Sequence, residues 1–530
     1  MLFTSYEFLG FLLAVFVIYY LLPGKAQWPF LLLASYVFYF IADPRYLIFI
    51  ALTSVTTFYG AKIISDKKES FAGWFADHKK EMEKEERKAA KAKEHKGEKK
   101  IFLAILLLNL GILAVTKYTN FTIANINSLI SAFGNAEGLS FVNLVIPMGI
   151  SFYTFQSMGY LIDVYNGKFP AQKNLFKFAL FVSFFPQLVQ GPISRYADLS
   201  QTLFEEHRAN FKTISFGLER ILWGFFKKLV IADRILVPVK AIIADPGSYN
   251  GFYAFAGAMF YALELYCDFT GGIDITIGVA ETMGIKVTEN FIRPYFSKNI
   301  KEYWNRWHIT MGTWFTDYIF YPISASQFMM KVSKKSRALL GNNIGKRVPV
   351  YLSSFIVWFT TGIWHGASWN FIVWGLGNFV VIMISQELDP FYRWFHSKVN
   401  VAGTTGWKAF QIIRTVLIMS SLRMFDCYRD VPLTFKMFAS IFADFRLSQL
   451  NLQAFIDMGI TAQDYLVVFV GLIILFAVSM IQRSGSVREK IYGLAALPQF
   501  VIYYSLFMIT IIFGAYGIGF EASQFIYNQF

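Results

Sequence analysis

Charge and cysteine are scarce in this sequence of 530 residues. Only 16% of the residues are charged, and Cys267 and Cys427 are the two cysteines. Neither belongs to a Cys-x-x-Cys pair, and two cysteines cannot form a disulfide framework. We therefore expect each to be a lone buried thiol.

Several motifs of soluble enzymes and transporters are also absent. The sequence contains no Walker A phosphate loop, no Gly-x-Ser-x-Gly elbow and no His-Glu-x-x-His zinc motif. No internal repeat is visible, which weakens the case for a transporter built from inverted repeats. The function must therefore be sought in other residues.

Apolar residues dominate the composition. They make up 55% of the chain, 19% of the residues are aromatic, and the mean hydropathy is +0.44. This excludes an ordinary soluble domain and predicts an all-α polytopic membrane protein. The net charge of +14 comes from basic residues near the ends of apolar runs, where anionic lipid headgroups favour them. The expected partner is thus the lipid bilayer and not nucleic acid.

A membrane-spanning helix needs about 20 mostly apolar residues. The first apolar run lacks the basic start and the cleavage site of a signal peptide, so we interpret it as a membrane helix. The predicted spans are residues 8–22, 28–41, 46–64, 101–118, 141–162, 350–363, 371–385, 410–424, 465–481 and 500–515.

The most charged part of the chain is residues 66–100, where lysine and glutamate alternate. This pattern is typical of a solvated helix with i,i+4 ion pairs. We predict a charged cytoplasmic loop helix within a single membrane domain formed by residues 1–530. Three spans precede it, so the N-terminus is expected outside, with Lys25 and the basic loop 331–347 in the cytoplasm.

Four further segments do not fit simple spans. Residues 184–193 contain two prolines and a glycine and predict a re-entrant segment shielded by protein. Residues 211–234 combine cations with aromatic residues, which favours a helix at the cytoplasmic interface. Residues 252–269 form an apolar run that opens at 270–274. Residues 290–322 are both polar and aromatic, and indicate a protein-enclosed vestibule.

Two histidines stand in tryptophan-rich, apolar surroundings. His308 and His365 differ from His78, His95, His207 and His396, which lie among polar residues. A buried imidazole is held neutral and can take a proton from a hydroxyl, as acyl transfer to an alcohol requires. Asn370 could donate to the tetrahedral oxyanion. Two alternatives remain: the histidines serve only packing, or they bind a metal, although no third ligand is close in sequence.

Several motifs resemble the membrane-bound O-acyltransferase family in its bacterial alginate O-acetyltransferase branch. The most specific are Glu-Tyr-Trp-Asn-Arg-Trp-His at 302–308, Asp-Tyr at 317–318 and Trp-His-Gly-Ala-Ser-Trp at 364–369. Further similar segments are residues 147–156, 185–188, 191–193, 266–269, 516–520 and 524–527. The ordered set covers nearly the whole chain.

The resemblance implies a multi-helix fold with a central tunnel that meets the family histidine, His365, with His308 at the second family position. It implies acetyl transfer from acetyl-CoA across the bacterial cytoplasmic membrane to an exported cell-surface polysaccharide, without a metal. It also implies a separate extracytoplasmic SGNH-type acetyltransferase as partner. The candidate tunnel residues are Trp304, Asn305, Asp317, Trp364, Asn370 and Asp268.

Two departures and two alternatives stay open. The charged insertion 66–100 is longer than expected for the branch, and Thr-Gly-Gly-Ile-Asp at 270–274 replaces a serine-glycine-tyrosine pattern. Asp268 also fits a structural role, as part of a polar knot that holds helix ends together. The chain could instead transfer D-alanine to teichoic acid from a carrier protein. In a different class, it could export polysaccharide or lipid, with His365 as a gating or proton-relay residue.

Overall fold

The computed structural model describes residues 5–134, 138–188 and 190–516. These residues form helices joined by turns and irregular segments, and no strand occurs among them. The all-α prediction is therefore confirmed. The chain divides into two compact units, one of residues 1–214 with 280–288 and the other of residues 215–279 with 289–530. The single-domain organisation stays a prediction.

The first unit contains eight helices in its described part. They are α1 (Tyr6–Leu21), α2 (Gly24–Ala42), α3 (Tyr46–His78), α4 (Lys84–Phe133), α5 (Ile150–Tyr165), α6 (Leu175–Ser183), α7 (Phe185–Leu188) and α8 (Tyr196–Leu203). Helix α3 lies at the centre of this unit, where it packs against α4, α5 and α6.

The second unit holds most of the chemistry-bearing residues. Its helices are α9 (Phe211–Phe225), α10 (Asp233–Ala244), α11 (Phe252–Thr282), α12 (Ile300–Arg306), α13 (Ile309–Phe315), α14 (Tyr321–Ser324), α15 (Gln327–Gly345), α16 (Val348–His365), α17 (Trp369–Glu387), α18 (Asp389–Lys398), α19 (Thr405–Tyr428), α20 (Val431–Ala443), α21 (Leu452–Ile456), α22 (Ala462–Ile481), α23 (Val487–Tyr492) and α24 (Ala496–Phe513). Two π-helical segments, Phe226–Ala232 and Thr316–Phe320, join α9 to α10 and α13 to α14. Helices α16, α17 and α19 pack side by side.

Five of the described helices are long and apolar enough to cross a membrane. They are α3, α4, α17, α22 with its extension to Ser484, and α24. In α24 only 6% of the apolar window is buried inside the protein. An apolar helix surface of this size is unfavourable in water and is stable in contact with lipid. The chain is a multi-pass membrane protein. Helices α1 and α20 are apolar but shorter.

The charged segment 66–100 is helical, but it is not one loop helix. Its residues form the end of α3 and the start of α4, which are joined by residues 79–83. Glu83 begins α4 with a capping box, in which the Glu86 carboxylate accepts the Glu83 N–H at 2.9 Å. This cap fixes the start of α4 inside the charged run. The loosely paired Lys67–Glu94 and Lys68–Glu98 contacts, each 3.8 Å, link the two extensions.

Two other boundaries differ from the sequence predictions in the first unit. The predicted span 141–162 begins only at Ile150, because Pro147 and the left-handed Gly149 precede the helix. In the segment 184–193, Phe184 separates α6 from α7, and Phe185 and Pro186 are buried. Shielding of this segment by protein is confirmed for its described residues, while position 189 lies outside them.

Three predictions for the second unit are wrong in detail. Three cations predicted to face lipid headgroups, Lys227, Lys228 and Arg234, are instead buried and ion-paired. The apolar run from 252 does not open at 270–274, since α11 continues to Thr282. The predicted basic loop 331–347 is mostly helix α15, with a kink at Gly341. The family-like segment 524–527 and residues 517–520 lie outside the described residues.

Candidate active site

His365 is the last residue of α16. The apolar helix ends there because Gly366 takes an extended backbone. The buried imidazole meets Trp374 edge-to-face at 4.7 Å and Trp364 edge-to-face at 5.1 Å between ring centroids, and it stacks over Phe371 at 6.3 Å. An aromatic enclosure from α16 and α17 therefore surrounds this histidine.

Close packing of α16 on α17 creates this enclosure. A Cβ atom at Gly375 would lie 2.4 Å from the Trp358 carbonyl oxygen, and one at Gly362 would lie 2.6 Å from the Phe371 carbonyl oxygen. Only glycine fits such an approach of two helix backbones. The glycines thereby bring Phe371 and Trp374 against His365.

His308 lies in the tight turn between α12 and α13. It is fully buried and has a left-handed backbone with φ of 47°. Its ring meets Phe269 edge-to-face at 5.0 Å, and its Nδ1 lies 3.2 Å from Oδ1 of Asn290. Asn290 lies inside the predicted vestibule 290–322, but no motif marks it as a site residue.

Trp364 connects the two histidines. Its ring lies 6.1 Å from the His308 ring and 5.1 Å from the His365 ring, between centroids. The structure thus brings together both candidate catalytic residues around one tryptophan. It also places the 302–308 and 364–369 motifs side by side, as a shared site requires.

The other candidate tunnel residues divide into two groups. Trp304 lies in the same aromatic cluster, 4.8 Å from Trp358 and 5.9 Å from Trp374 between centroids. Asn305, in contrast, is exposed on α12. Asp317 is half-buried on the π-helical segment Thr316–Phe320. Their role in a tunnel stays a prediction.

Asn370, the predicted oxyanion donor, makes two hydrogen bonds within the protein. Its Nδ2 donates to the Phe425 carbonyl at 3.1 Å, and its Oδ1 accepts from the Ser368 hydroxyl at 2.5 Å. The buried carboxamide ties α17 to α19, and its role as oxyanion donor stays a prediction.

Asp268 belongs to an ion cluster on α11 and not to the aromatic site. The Lys228 ammonium donates to it at 2.6 Å and also lies 2.9 Å from Asp233. Lys227 pairs with Asp274 at 2.6 Å. We call these five residues the lysine cluster. Its buried pairs favour the structural interpretation of Asp268, as part of a polar knot.

Comparison with known proteins identifies the family. Residues 169–427, which contain both histidines, match the model of the membrane-bound O-acyltransferase family. A probable alginate O-acetylase AlgI of Azotobacter vinelandii is 31% identical over 458 residues, which are 85% of this chain and 80% of that protein. The chain belongs to the membrane-bound O-acyltransferase family. It is therefore an O-acyltransferase with an acyl donor.

Two relatives whose names give different activities are also similar to this O-acyltransferase. A peptidoglycan O-acetyltransferase of Helicobacter pylori is 31% identical over 56% of this chain and 58% of its own length. A teichoic acid D-alanyltransferase of Bacillus subtilis is 30% identical over 48% of this chain and 63% of its own length. The relatives therefore agree on the family, whereas the activities in their names differ in the acyl group that is transferred and in the acceptor.

Arg423 is a residue of this O-acyltransferase that the sequence analysis missed. Its guanidinium lies 5.0 Å from the ring centroids of both Trp307 and Trp374, and its side chain is buried. Trp307 precedes His308 and Trp374 contacts His365, so Arg423 bridges the surroundings of the two histidines. An arginine inside the apolar run 410–424 was the signal that could have found it.

We call a set of five residues the histidine cluster: His308, His365, Trp364, Trp374 and Arg423. Burial first, and the Arg423 charge second, lower the pKa of His308 to about 3. His308 is therefore a neutral imidazole at physiological pH. Among the residues that the structure describes, no group of three or more histidine, cysteine, aspartate or glutamate side chains is placed to hold a metal ion.

Proposed function

We propose that this O-acyltransferase takes an acetyl group from cytoplasmic acetyl-CoA and passes it across the bacterial cytoplasmic membrane for O-acetylation of an exported cell-surface polysaccharide. The observation that carries the proposal is the meeting of His308 and His365 around Trp364 inside an aromatic, water-poor enclosure. Similarity to the alginate and peptidoglycan O-acetyltransferases favours acetyl as the group transferred.

His365 acts as general base or acyl relay in this proposal, and His308 is a second neutral base of the same site. As a base, it takes the proton of the acceptor hydroxyl while that oxygen attacks the thioester carbonyl. The C–S bond then breaks, and the CoA sulfur leaves with the proton returned by the imidazolium. His365 ends α16, and the carbonyl end of a helix favours the positive imidazolium.

Indole N–H groups are further candidates for the oxyanion donor beside Asn370. Nε1 of Trp304 and Nε1 of Trp374 are buried and have no hydrogen-bond partner among the described residues. An unsatisfied buried donor costs about 1–3 kcal/mol and calls for an explanation. Because the Trp374 ring lies 4.7 Å from His365, its N–H is the donor we assign to the tetrahedral oxyanion.

Replacement of each histidine tests the proposal. His365→Ala and His308→Ala should abolish CoA release from acetyl-CoA in proteoliposomes and remove O-acetyl groups from the surface polymer in cells. His78→Ala, at an exposed position on α3, is the matched control and should retain both. A folded His365→Ala protein that still supports polymer acetylation would refute the enzyme mechanism, and lost polymer export with normal acetylation would favour the exporter.

The D-alanyl alternative rests on the similarity to the teichoic acid D-alanyltransferase. Purified protein offered acetyl-CoA and, separately, a D-alanyl carrier protein decides between the two donors. We expect acetyl-CoA to be consumed and the carrier to remain charged. Capture of the charged carrier protein instead would reverse the assignment.

Delivery to the polymer requires an orientation and a partner. We propose that the N-terminus lies outside, that the charged extensions of α3 and α4 lie in the cytoplasm, and that an extracytoplasmic SGNH-type acetyltransferase completes the transfer. Ser5→Cys should react with an impermeant maleimide in intact cells, and Lys88→Cys should react only after lysis. The reverse labelling would overturn this orientation.

A further inference from the structure

Asn290 is buried beside His308 and presents a defined atom to it. It lies in the irregular segment 289–299 that precedes α12, and it is 0% exposed. Its Oδ1 accepts from the Thr310 backbone N–H at 3.0 Å and from the Thr310 hydroxyl at 2.9 Å. A backbone N–H can only donate, so the atom at this position is the carboxamide oxygen and not its nitrogen.

This identity fixes the protonation of His308. Nδ1 of His308 lies 3.2 Å from the same oxygen, and an amide oxygen only accepts, so Nδ1 carries the proton. In a neutral imidazole the lone pair then lies on Nε2. We propose that Asn290 is a positioning residue that holds His308 in the Nδ1–H tautomer with Nε2 as the proton-accepting atom. This inference rests on the catalytic role of His308 in the proposed function.

Asn290 also holds the strained turn that carries His308. A left-handed backbone costs a non-glycine residue about 1–2 kcal/mol, and His308 has φ of 47°. The Ile309 N–H donates to the Asn290 carbonyl at 3.0 Å, and the Thr310 N–H donates to its side chain. One residue therefore fixes both the backbone conformation and the ring orientation of His308.

The surroundings of His308 make the tautomer matter at physiological pH. Phe269 of α11, Phe291 of the segment 289–299 and Trp364 of α16 place aromatic rings around it. Arg423 of α19 adds a positive charge that opposes imidazolium formation. A ring kept neutral has one basic nitrogen, and the tautomer decides which nitrogen that is.

Substitution of Asn290 tests this assignment in the full-length protein in proteoliposomes. Asn290→Leu removes the acceptor, and we expect kcat for acetyl transfer to fall up to about 100-fold with little change in KM, because the imidazole is no longer held in its productive orientation. Asn290→Asp keeps an acceptor oxygen and adds a negative charge, which stabilises the imidazolium and raises the pKa of His308. As the pH falls, His308 is then protonated, and lost as a base, at a higher pH than in the wild type. The acidic limb of the pH–rate profile should therefore move upward by at least about one pH unit.

Thr313→Val is the matched control, because it removes an exposed hydroxyl on α13 that donates to the Thr310 carbonyl. We expect its kcat and pH profile to equal those of the wild type. A folded Asn290→Leu protein with unchanged kcat would overturn the inference, as would an Asn290→Asp profile identical to that of the wild type. The nearly isosteric Asn290→Asp keeps the test valid if Asn290→Leu fails to fold.

His308→Ala separates this inference from the proposed function. If His308→Ala is inactive while Asn290→Leu is fully active, only the positioning role of Asn290 is refuted. If His308→Ala keeps full activity, the catalytic role of His308 fails and the positioning role fails with it.

Discussion

The lysine cluster and the histidine cluster both bury polar groups in the second unit, but the two clusters differ in how the hydrogen-bonding and charge requirements of these groups are met. In the lysine cluster, Lys228 lies within 2.9 Å of Asp268 and of Asp233, and Lys227 donates to both Asp274 and Thr270. In the histidine cluster, aromatic rings surround the two histidines, the Arg423 guanidinium lies 3.9 Å from the Asp426 carboxylate, and the Trp374 indole nitrogen has no partner among the described residues. Closely paired charges hold helices together, whereas an unsatisfied donor remains available for a substrate.

The largest effect, on folding free energy, is expected when the lysine cluster is disrupted. Lys228→Met leaves the carboxylates of Asp268 and Asp233 buried without their cation, which should cost about 3–5 kcal/mol of folding free energy. Thermal unfolding in detergent measures this loss. The double variant Lys228→Met/Asp268→Leu removes one of the two uncompensated carboxylates and should recover part of the stability. If Lys228→Met unfolds like the wild type, the cluster does not have the structural role assigned to it.

Trp374→Phe tests the histidine cluster with a smaller change. The phenyl ring keeps the apolar contact with His365 but lacks the indole N–H, so kcat should fall about 10²- to 10³-fold, equivalent to about 2.7–4 kcal/mol of transition-state stabilisation. Unfolding temperature should change little, in contrast to Lys228→Met. Trp407→Phe, on α19 at a ring contact with Phe395, is the control and should keep its kcat. Retained kcat in Trp374→Phe would remove this N–H from the mechanism.

The sequence predicted the fold class and both histidines, because these depend on long apolar runs and on local motifs. Helix α16 and the position of His365 at its end agree closely with the predicted span 350–363. The predicted position of Lys227 and Lys228 at the membrane interface is wrong. The sequence pattern around a cation does not show whether its partner is a lipid headgroup or a carboxylate on another helix, such as Asp268.

The partners of the histidines could not be predicted for a related reason. Asn290 reaches His308 through a strained turn, and Arg423 reaches Trp307 from α19. These contacts join segments that are remote in sequence, and hydropathy and motif spacing do not encode them. The catalytic roles themselves stay a prediction that the histidine variants test.

Arg423→Lys is the finest test of the difference between the clusters. Lysine keeps the charge near His308, but its ammonium cannot stack as a plane between Trp307 and Trp374, so one of the two contacts should be lost. A cation–π contact of a desolvated group contributes about 2 kcal/mol or less, which corresponds to a fall in kcat of up to about 30-fold if the contact positions Trp374. Arg414→Lys, on the same helix as Arg423, is the control, because the Arg414 guanidinium lies over the Tyr392 ring of α18, and it should keep its kcat. The opposite outcome is a loss of unfolding free energy in Arg423→Lys as large as that in Lys228→Met, with an unchanged kcat of the folded fraction. It would show that Arg423 holds helices together in the same way as the lysine cluster.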